Sequence, residues 1–498
     1  ARSGMTEVAR RIAEQAMNYV FNPPTAADPV IDYARPDELI AEFAASVGLA
    51  IDPHQQALAA DALVGACQTI IDRSMHTTHP RFFNQNFAGP EPIAVVGDWL
   101  AAALNTTNAT FEVAPVFTMM ERTVITKMAG LAGYPVDAAA NALPPGILCP
   151  GGSSGTLHAL QLARHRLRPD VLHTGATGER LVVFVSDTAH YATLKSAALM
   201  GLGLQAVIEV DTDENGAMIA VALEAAVTQA RAEGAVPFAV VATAGTTVTS
   251  AFDPLDLIAD TCEAEGLWLH VDGCWGGSAL FSSQHAGLME GVHRSDSLIW
   301  NLHKMMGITQ QCSVLLVKDP TQLAPVFSTK ATYIFQADKQ FGEYDAGDRT
   351  FHCGRRVDVL KAWLTWKTFG DDGFADRVDH GVALADHTRS KLNERPDFAV
   401  LVPGSFTNVC FVWVPPELRP LDMATIAEPD HARLHSLATR IKARMQHDGT
   451  AMIGVQPVNG INAFRLLYMN RKVATGDVDA VLDLIADYGE QEWRGTAQ

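Results

Sequence analysis

A series of short apolar runs constrains this chain more than any other feature: Leu181–Val185, Ala206–Val210, Phe238–Thr243, Leu267–Val271, Ser297–Trp300 and Ser313–Val317. They are rich in β-branched residues and carry little polar alternation, the pattern of strands covered on both faces. Helical patterns lie between them, as at Met218–Glu233 and Asp256–Glu265. This βα rhythm predicts an α/β fold built on a mostly parallel, doubly wound sheet. Ligands in such sheets collect beyond the strand ends. The polar residues Asp187, His190, Thr246, Thr247, Asp272, His303 and Lys304 all fall there.

The rest of the chain divides around this region. Residues 1–105 read as mostly helical, interrupted at Pro23-Pro24 and Pro53, and residues 106–370 form the large α/β domain. Residues 371–498 read as a smaller α+β domain. Its helices are expected at Phe374–Asn393, His431–His447 and Val478–Tyr488, and its strands at Phe398–Val402, Asn408–Val414 and Ala463–Met469. With 498 residues and 48% hydrophobic content, there is material for more than one core.

Charge and cysteine usage narrow the functional classes. The formal net charge of −19 repels phosphate backbones and anionic lipid surfaces, so neither nucleic-acid nor membrane binding is expected. A local basic pocket can still take an anionic substrate. No uninterrupted apolar stretch reaches the roughly 20 residues of a membrane span, and the N-terminal region lacks the apolar run of a signal peptide. The seven cysteines are scattered, odd in number and without a CxxC pair. Reduced thiols and a cytoplasmic location follow more simply than disulfides or a zinc site.

The chemistry gathers at successive strand ends. Leu269-His270-Val271-Asp272 closes one apolar run, and about thirty residues later Asn301-Leu302-His303-Lys304 closes another. Lys304 precedes Met305-Met306, and burial there would favour a neutral, nucleophilic amine. A buried carboxylate needs a cationic or hydrogen-bonding partner. His190 follows a third run and can offer a flat ring. Cys149-Pro150-Gly151-Gly152-Ser153-Ser154-Gly155-Thr156 precedes a helical run, where hydroxyls and amides suit a phosphate. Singly, each has a plainer reading: a surface lysine, a capping aspartate, a loop histidine, a capped turn. Together they match what pyridoxal phosphate needs, with Lys304 for its aldehyde and Asp272 for its ring nitrogen.

Longer motifs extend the reading. They are His79-Pro80-Arg81-Phe82-Phe83-Asn84-Gln85, Phe111-Glu112-Val113-Ala114-Pro115-Val116-Phe117, Asn301–Gly307, Tyr333-Ile334-Phe335-Gln336-Ala337-Asp338-Lys339-Gln340 and Phe464-Arg465. With these, the chain resembles the group II pyridoxal-phosphate decarboxylases over residues 75–490, in particular the glutamate, cysteine sulfinate and aspartate 1-decarboxylase branch.

The resemblance implies fold type I and a homodimer with shared active sites. It implies that Lys304 forms the Schiff base, Asp272 pairs with the pyridine nitrogen and His190 stacks on the ring. Ser153, Ser154 and His303 match cofactor-phosphate positions, and Thr246 a ring contact. Asn301 and Cys274 stand beside the cofactor. Tyr333 matches a loop tyrosine that protonates the substrate α-carbon. Gln85, Phe87 and Arg465 match substrate-binding positions, and a guanidinium suits a carboxylate or sulfinate.

The chain departs from the family pattern at Leu302, at Gly273-Cys274, at Gly155-Thr156 and at Ala109. Phe87 and Thr107 favour a shorter acidic substrate, so cysteine sulfinate or aspartate is expected ahead of glutamate. Ala109 enlarges its surroundings and leaves room for other readings. These are a decarboxylase of aromatic or other amino acids, a decarboxylating aldehyde synthase or a non-catalytic homologue.

Overall fold

The computed structural model describes residues 2–51, 54, 56–87, 89–137, 142–175, 178–336, 338–404 and 406–495. Pro53 and Ala337, named above, lie outside them. In chain order the strands among these residues are β1 (Phe82–Phe83), β2 (Gly146–Cys149), β3 (Leu181–Ser186), β4 (Val207–Val210), β5 (Val236–Thr243) and β6 (Trp268–Asp272). They continue with β7 (Ser297–Asn301), β8 (Ser313–Val317), β9 (Phe398–Val400), β10 (Asn408–Trp413), β11 (Met452–Val458) and β12 (Ile461–Leu467).

The large sheet has seven strands in the order β2-β8-β7-β6-β5-β3-β4. The run β4-β3-β5-β6-β7 is parallel, as the apolar, non-alternating sequences predict. β8 runs antiparallel to β7 and to β2. The reason is the link between β7 and β8. Residues 302–312 are too few for the helical crossover that a parallel pair requires, so the chain turns back. Lys304 lies in this link. β2, which escaped the sequence reading, has only four residues between Pro144-Pro145 and Pro150.

The helix Gly152–Leu167 covers one face of this sheet. Its Ala159, Leu160 and Ala163 join Val183, Val241 and Ile299 in one buried cluster. The other expected helices of this region form at Ala220–Ala232 and Leu255–Glu265.

The chain forms two compact units. One comprises residues 93–383 and 402–408, and the other residues 1–92, 384–401 and 409–498. This grouping differs from the division at 105 and 370 read from the sequence. The N-terminal helical stretch is not a separate body, because β1 pairs in parallel with β11 and Val30 donates its N–H to the Gly449 carbonyl at 2.8 Å. The smaller unit's sheet has the order β1-β11-β12-β10-β9. β11, also unread in the sequence, contains Gly454 and Pro457, which interrupt its apolar pattern. Among the described residues, no helix is long and apolar enough to cross a membrane.

Candidate active site

In the larger unit, the C-terminal ends of β5, β6 and β7 and the first turn of the helix Gly152–Leu167 surround a cavity of about 140 Å³. Ser153, His190, Asp272, Cys274, Asn301 and Lys304 line it, joined by Gly152, Thr243 and Thr247. Residues from Gly152 to Lys304, distant in the chain, thus meet in one chamber.

Asp272 is buried at the end of β6, and its Oδ1 accepts the Cys274 N–H at 3.0 Å. Burial pushes its pKa upward. The Lys304 charge, the Cys274 hydrogen bond and His190 together outweigh burial, so the net direction is below the usual carboxylate value. A carboxylate held ionised in such a site is suited to a cationic N–H. Register places Thr243 of β5 directly beside it.

His190 lies in the turn after β3, and its Nδ1 accepts the Ala192 N–H at 3.2 Å. Burial lowers its pKa, Asp272 opposes this and Lys304 adds to it. The neutral imidazole therefore presents a flat ring, itself packed on Tyr191 at 4.1 Å between centroids. Lys304 is half-buried in the turn after β7, where its carbonyl accepts the Gly307 N–H at 3.0 Å.

Close approach is built in at Gly152. A Cβ there would collide with Cys274 Sγ, so only glycine lets the helix start pack this closely against Cys274 and Asn301. Burial raises the Cys274 thiol well above its ordinary pKa, leaving a small neutral wall.

Asn301 Oδ1, Thr243 Oγ1 and Ser154 Oγ are buried and have no hydrogen-bond partner among the described residues. Burying such groups unpaired costs about 1–3 kcal/mol each. Polar atoms in wait, an amine, an ionised carboxylate and a helix start with serines fit pyridoxal phosphate.

Other expected residues are placed differently. Thr246 is buried, with its hydroxyl bonded to Thr249 Oγ1 at 2.8 Å and to the Ala251 N–H at 2.9 Å, so Thr243 and Thr247 face the cavity instead. Thr243 could have been found from its strand-end position alone. His303 turns into the β7–β8 link, within 3.0 Å of the Cys312 N–H, and burial lowers its pKa to about 4. Tyr333 is 81% exposed and lines a separate cleft of about 670 Å³ with Thr110, Phe111 and Glu112.

Gln85, Phe87 and Arg465 belong to the smaller unit. Arg465 on β12 is buried, and burial lowers its pKa. Its guanidinium donates to the Asn84 carbonyl and, at 3.4 Å, to Asn86 Oδ1, which brings it to the segment carrying Gln85 and Phe87. Phe87 packs on Phe82 at 5.9 Å. Lys442, which sequence reasoning missed, donates to Asn84 Oδ1 at 3.1 Å. Burial and the nearby Arg465 lower its pKa. Nothing in its helical surroundings sets it apart from an ordinary surface lysine.

A doubly wound sheet whose strand ends bring a lysine, an ionised aspartate and a flat histidine to a serine-bearing helix start defines a pyridoxal phosphate enzyme of fold type I. The chain belongs to the pyridoxal-dependent decarboxylase family, matching its conserved domain over residues 48–414. It is 44% identical to the acidic amino acid decarboxylase GADL1 of Mus musculus, over 86% of this chain and 77% of that protein. It is 40% identical to the cysteine sulfinic acid decarboxylase of Homo sapiens, over 94% and 92% respectively. The crystal structure of mouse CSAD superposes with a TM-score of 0.91 at 37% identity, covering 98% of this chain and 99% of that one. The chain is therefore a pyridoxal phosphate-dependent amino acid decarboxylase.

Proposed function

We propose that the substrate is a short acidic amino acid, cysteine sulfinate or aspartate ahead of glutamate, which loses its α-carboxylate as carbon dioxide. The observation that carries this reading is the pairing of Arg465 and Lys442 on the segment Asn84–Asn86. Two cations beside Gln85 and Phe87 suit a distal carboxylate or sulfinate. The names of the relatives, an acidic amino acid decarboxylase and a cysteine sulfinic acid decarboxylase, agree with it.

When bound, pyridoxal phosphate supplies an aldehyde that condenses with amines and a ring that accepts the electrons left by carbon dioxide. Lys304 would hold that aldehyde through its ε-amine, Asp272 would hold a proton at the ring nitrogen, and His190 would pack against the ring. Ser153 and Ser154, with the amides of the helix start, take the phosphate. Asn301, Cys274 and Thr243 shape the remaining wall. Gln85 and Arg465 hold the distal acid, which orients the α-carboxylate for loss. Tyr333 gives a proton to the α-carbon.

Tyr333 is exposed and stands apart from the cavity of its own chain. This supports a homodimer in which Tyr333 serves the cavity of a second copy. The free cysteines support a reducing, cytoplasmic setting. The deciding experiment assays cysteine sulfinate, aspartate, glutamate and aromatic amino acids for carbon dioxide, amine and aldehyde. Preference for an aromatic substrate, or aldehyde as the main product, overturns the proposal.

A further inference from the structure

The segment that carries Tyr333 is fastened to a second stretch of the larger unit at a few points. Asp345 is 8% exposed, and its Oδ1 accepts the Phe111 N–H at 2.8 Å. Its other oxygen takes the Lys339 ammonium at 3.2 Å. The same ammonium lies 3.4 Å from Glu112, with only 11% of the lysine side chain exposed. Gly347 donates its N–H to the Ala109 carbonyl at 2.8 Å. Phe341 has φ of +62°, a region that residues with side chains rarely adopt. Its ring meets Phe111 at 5.5 Å, and Tyr344 meets the same ring at 5.4 Å.

These contacts share one direction: residues 339–347 grip residues 109–112. The cleft that Tyr333 borders is walled on its far side by the gripped stretch. A buried carboxylate is tolerable only with its charge met. Lys339 meets one carboxylate oxygen of Asp345 while the other holds the Phe111 amide. A strained residue persists only where its surroundings over-determine it, and the Phe111 ring does that for Phe341.

We propose that Asp345 and Lys339 are positioning residues that lock the Tyr333 loop and the segment 107–112 into one body, and so set where the tyrosine proton is delivered. The catalytic half of this proposal rests on the role of Tyr333 given above. A proton delivered to the α-carbon yields the amine. One delivered to the cofactor carbon instead leaves, after water adds, the aldehyde and the cofactor as its amine. Loosening the lock therefore shifts product identity as well as rate.

The test compares the holoenzyme with Lys339→Met, Lys339→Arg and Asp345→Ala, by amide hydrogen exchange and by product analysis. Lys339→Met and Asp345→Ala should raise exchange in both 107–114 and 331–345. They should lower kcat for amine about tenfold with KM changed less than about twofold, and raise the aldehyde share. Lys339→Arg should restore both readouts toward the parent. If Asp345→Ala does not fold, the two Lys339 variants decide. Faster exchange confined to 331–345 overturns the coupling, and an unchanged aldehyde share overturns the positioning role. Tyr333→Phe, run alongside, separates the two readings: an unchanged product share there removes the catalytic half, while the exchange data decide the coupling alone.

Discussion

The Asp272 carboxylate accepts the backbone N–H of Cys274, two residues further on, at 3.0 Å. That bond ties the carboxylate to the turn that follows its own strand. It also helps hold the group ionised against its burial. The carboxylate that lines the cavity is thus held by the turn that follows its own strand.

Asp272→Asn retains the shape and an acceptor for Cys274 but removes the charge. The cofactor should still bind, with kcat lowered by about 10²–10³-fold, the usual scale for a preorganised electrostatic partner. Steady-state kinetics on enzyme of matched cofactor content check this; a change below tenfold would take Asp272 out of the role.

Lys304→Ala should abolish turnover and the visible absorbance of attached cofactor. Borohydride reduction of the parent enzyme followed by peptide mapping should label Lys304. A label on another lysine would displace the assignment.

Lys304→Ala and Tyr333→Phe should complement each other. If Tyr333 serves a second copy, mixed dimers contain one site with both groups intact. Equal mixing should then restore roughly a quarter of parental amine formation. Mixtures no more active than the separate variants would argue that both residues act within one chain, or that the enzyme is not a dimer.

Arg465→Ala should cost about 2–5 kcal/mol in kcat/KM for the acidic substrate, because a buried charge-assisted pair is broken. Lys442→Met should act in the same direction by about 1 kcal/mol, mainly through KM. Arg465→Lys separates charge from the fork of the guanidinium. Equal kcat/KM for parent and both Arg465 variants would put the distal acid elsewhere.

His158 gives a pH prediction. It is buried in the helix Gly152–Leu167, bonded to the Ser154 carbonyl at 2.7 Å and to Thr350 Oγ1 at 2.9 Å, and stacked on Phe351. Burial lowers its pKa to about 4. Between there and the unfolded value of about 6.5 the unfolded chain binds the extra proton, so stability rises with pH. The contribution is complete above about 6.5 and is lost as pH falls toward about 4. His158→Gln should therefore lose about 2 kcal/mol less than the parent between about pH 7 and pH 5, read from denaturant melts. Equal losses would show that His158 does not titrate in this window.

Much of the large sheet was legible because a strand buried on both faces is mostly apolar, as Leu181–Val185 and Leu298–Trp300 are within β3 and β7. β2 and β11 were not, since four residues between prolines and a strand holding Gly454 and Pro457 carry no usable pattern. Lys304, Asp272 and His190 were legible as polar groups at apolar strand ends. Thr246 and Thr247 look alike in sequence, and only the hydrogen bonds show that the Thr246 hydroxyl is engaged within its own turn.

Local pattern by itself determined the strand–helix order and the residues that could carry the chemistry, since periodicity and strand-end position are properties of neighbouring residues. Tertiary structure alone decided which of them share a chamber, that His303 Nδ1 meets Cys312 across the β7–β8 link, and that Lys442 joins Arg465 at Asn84. The contacts of Lys442 and Arg465 with Asn84 span 358 and 381 residues, and all these relations depend on register, burial and hydrogen-bond direction, which local pattern does not carry.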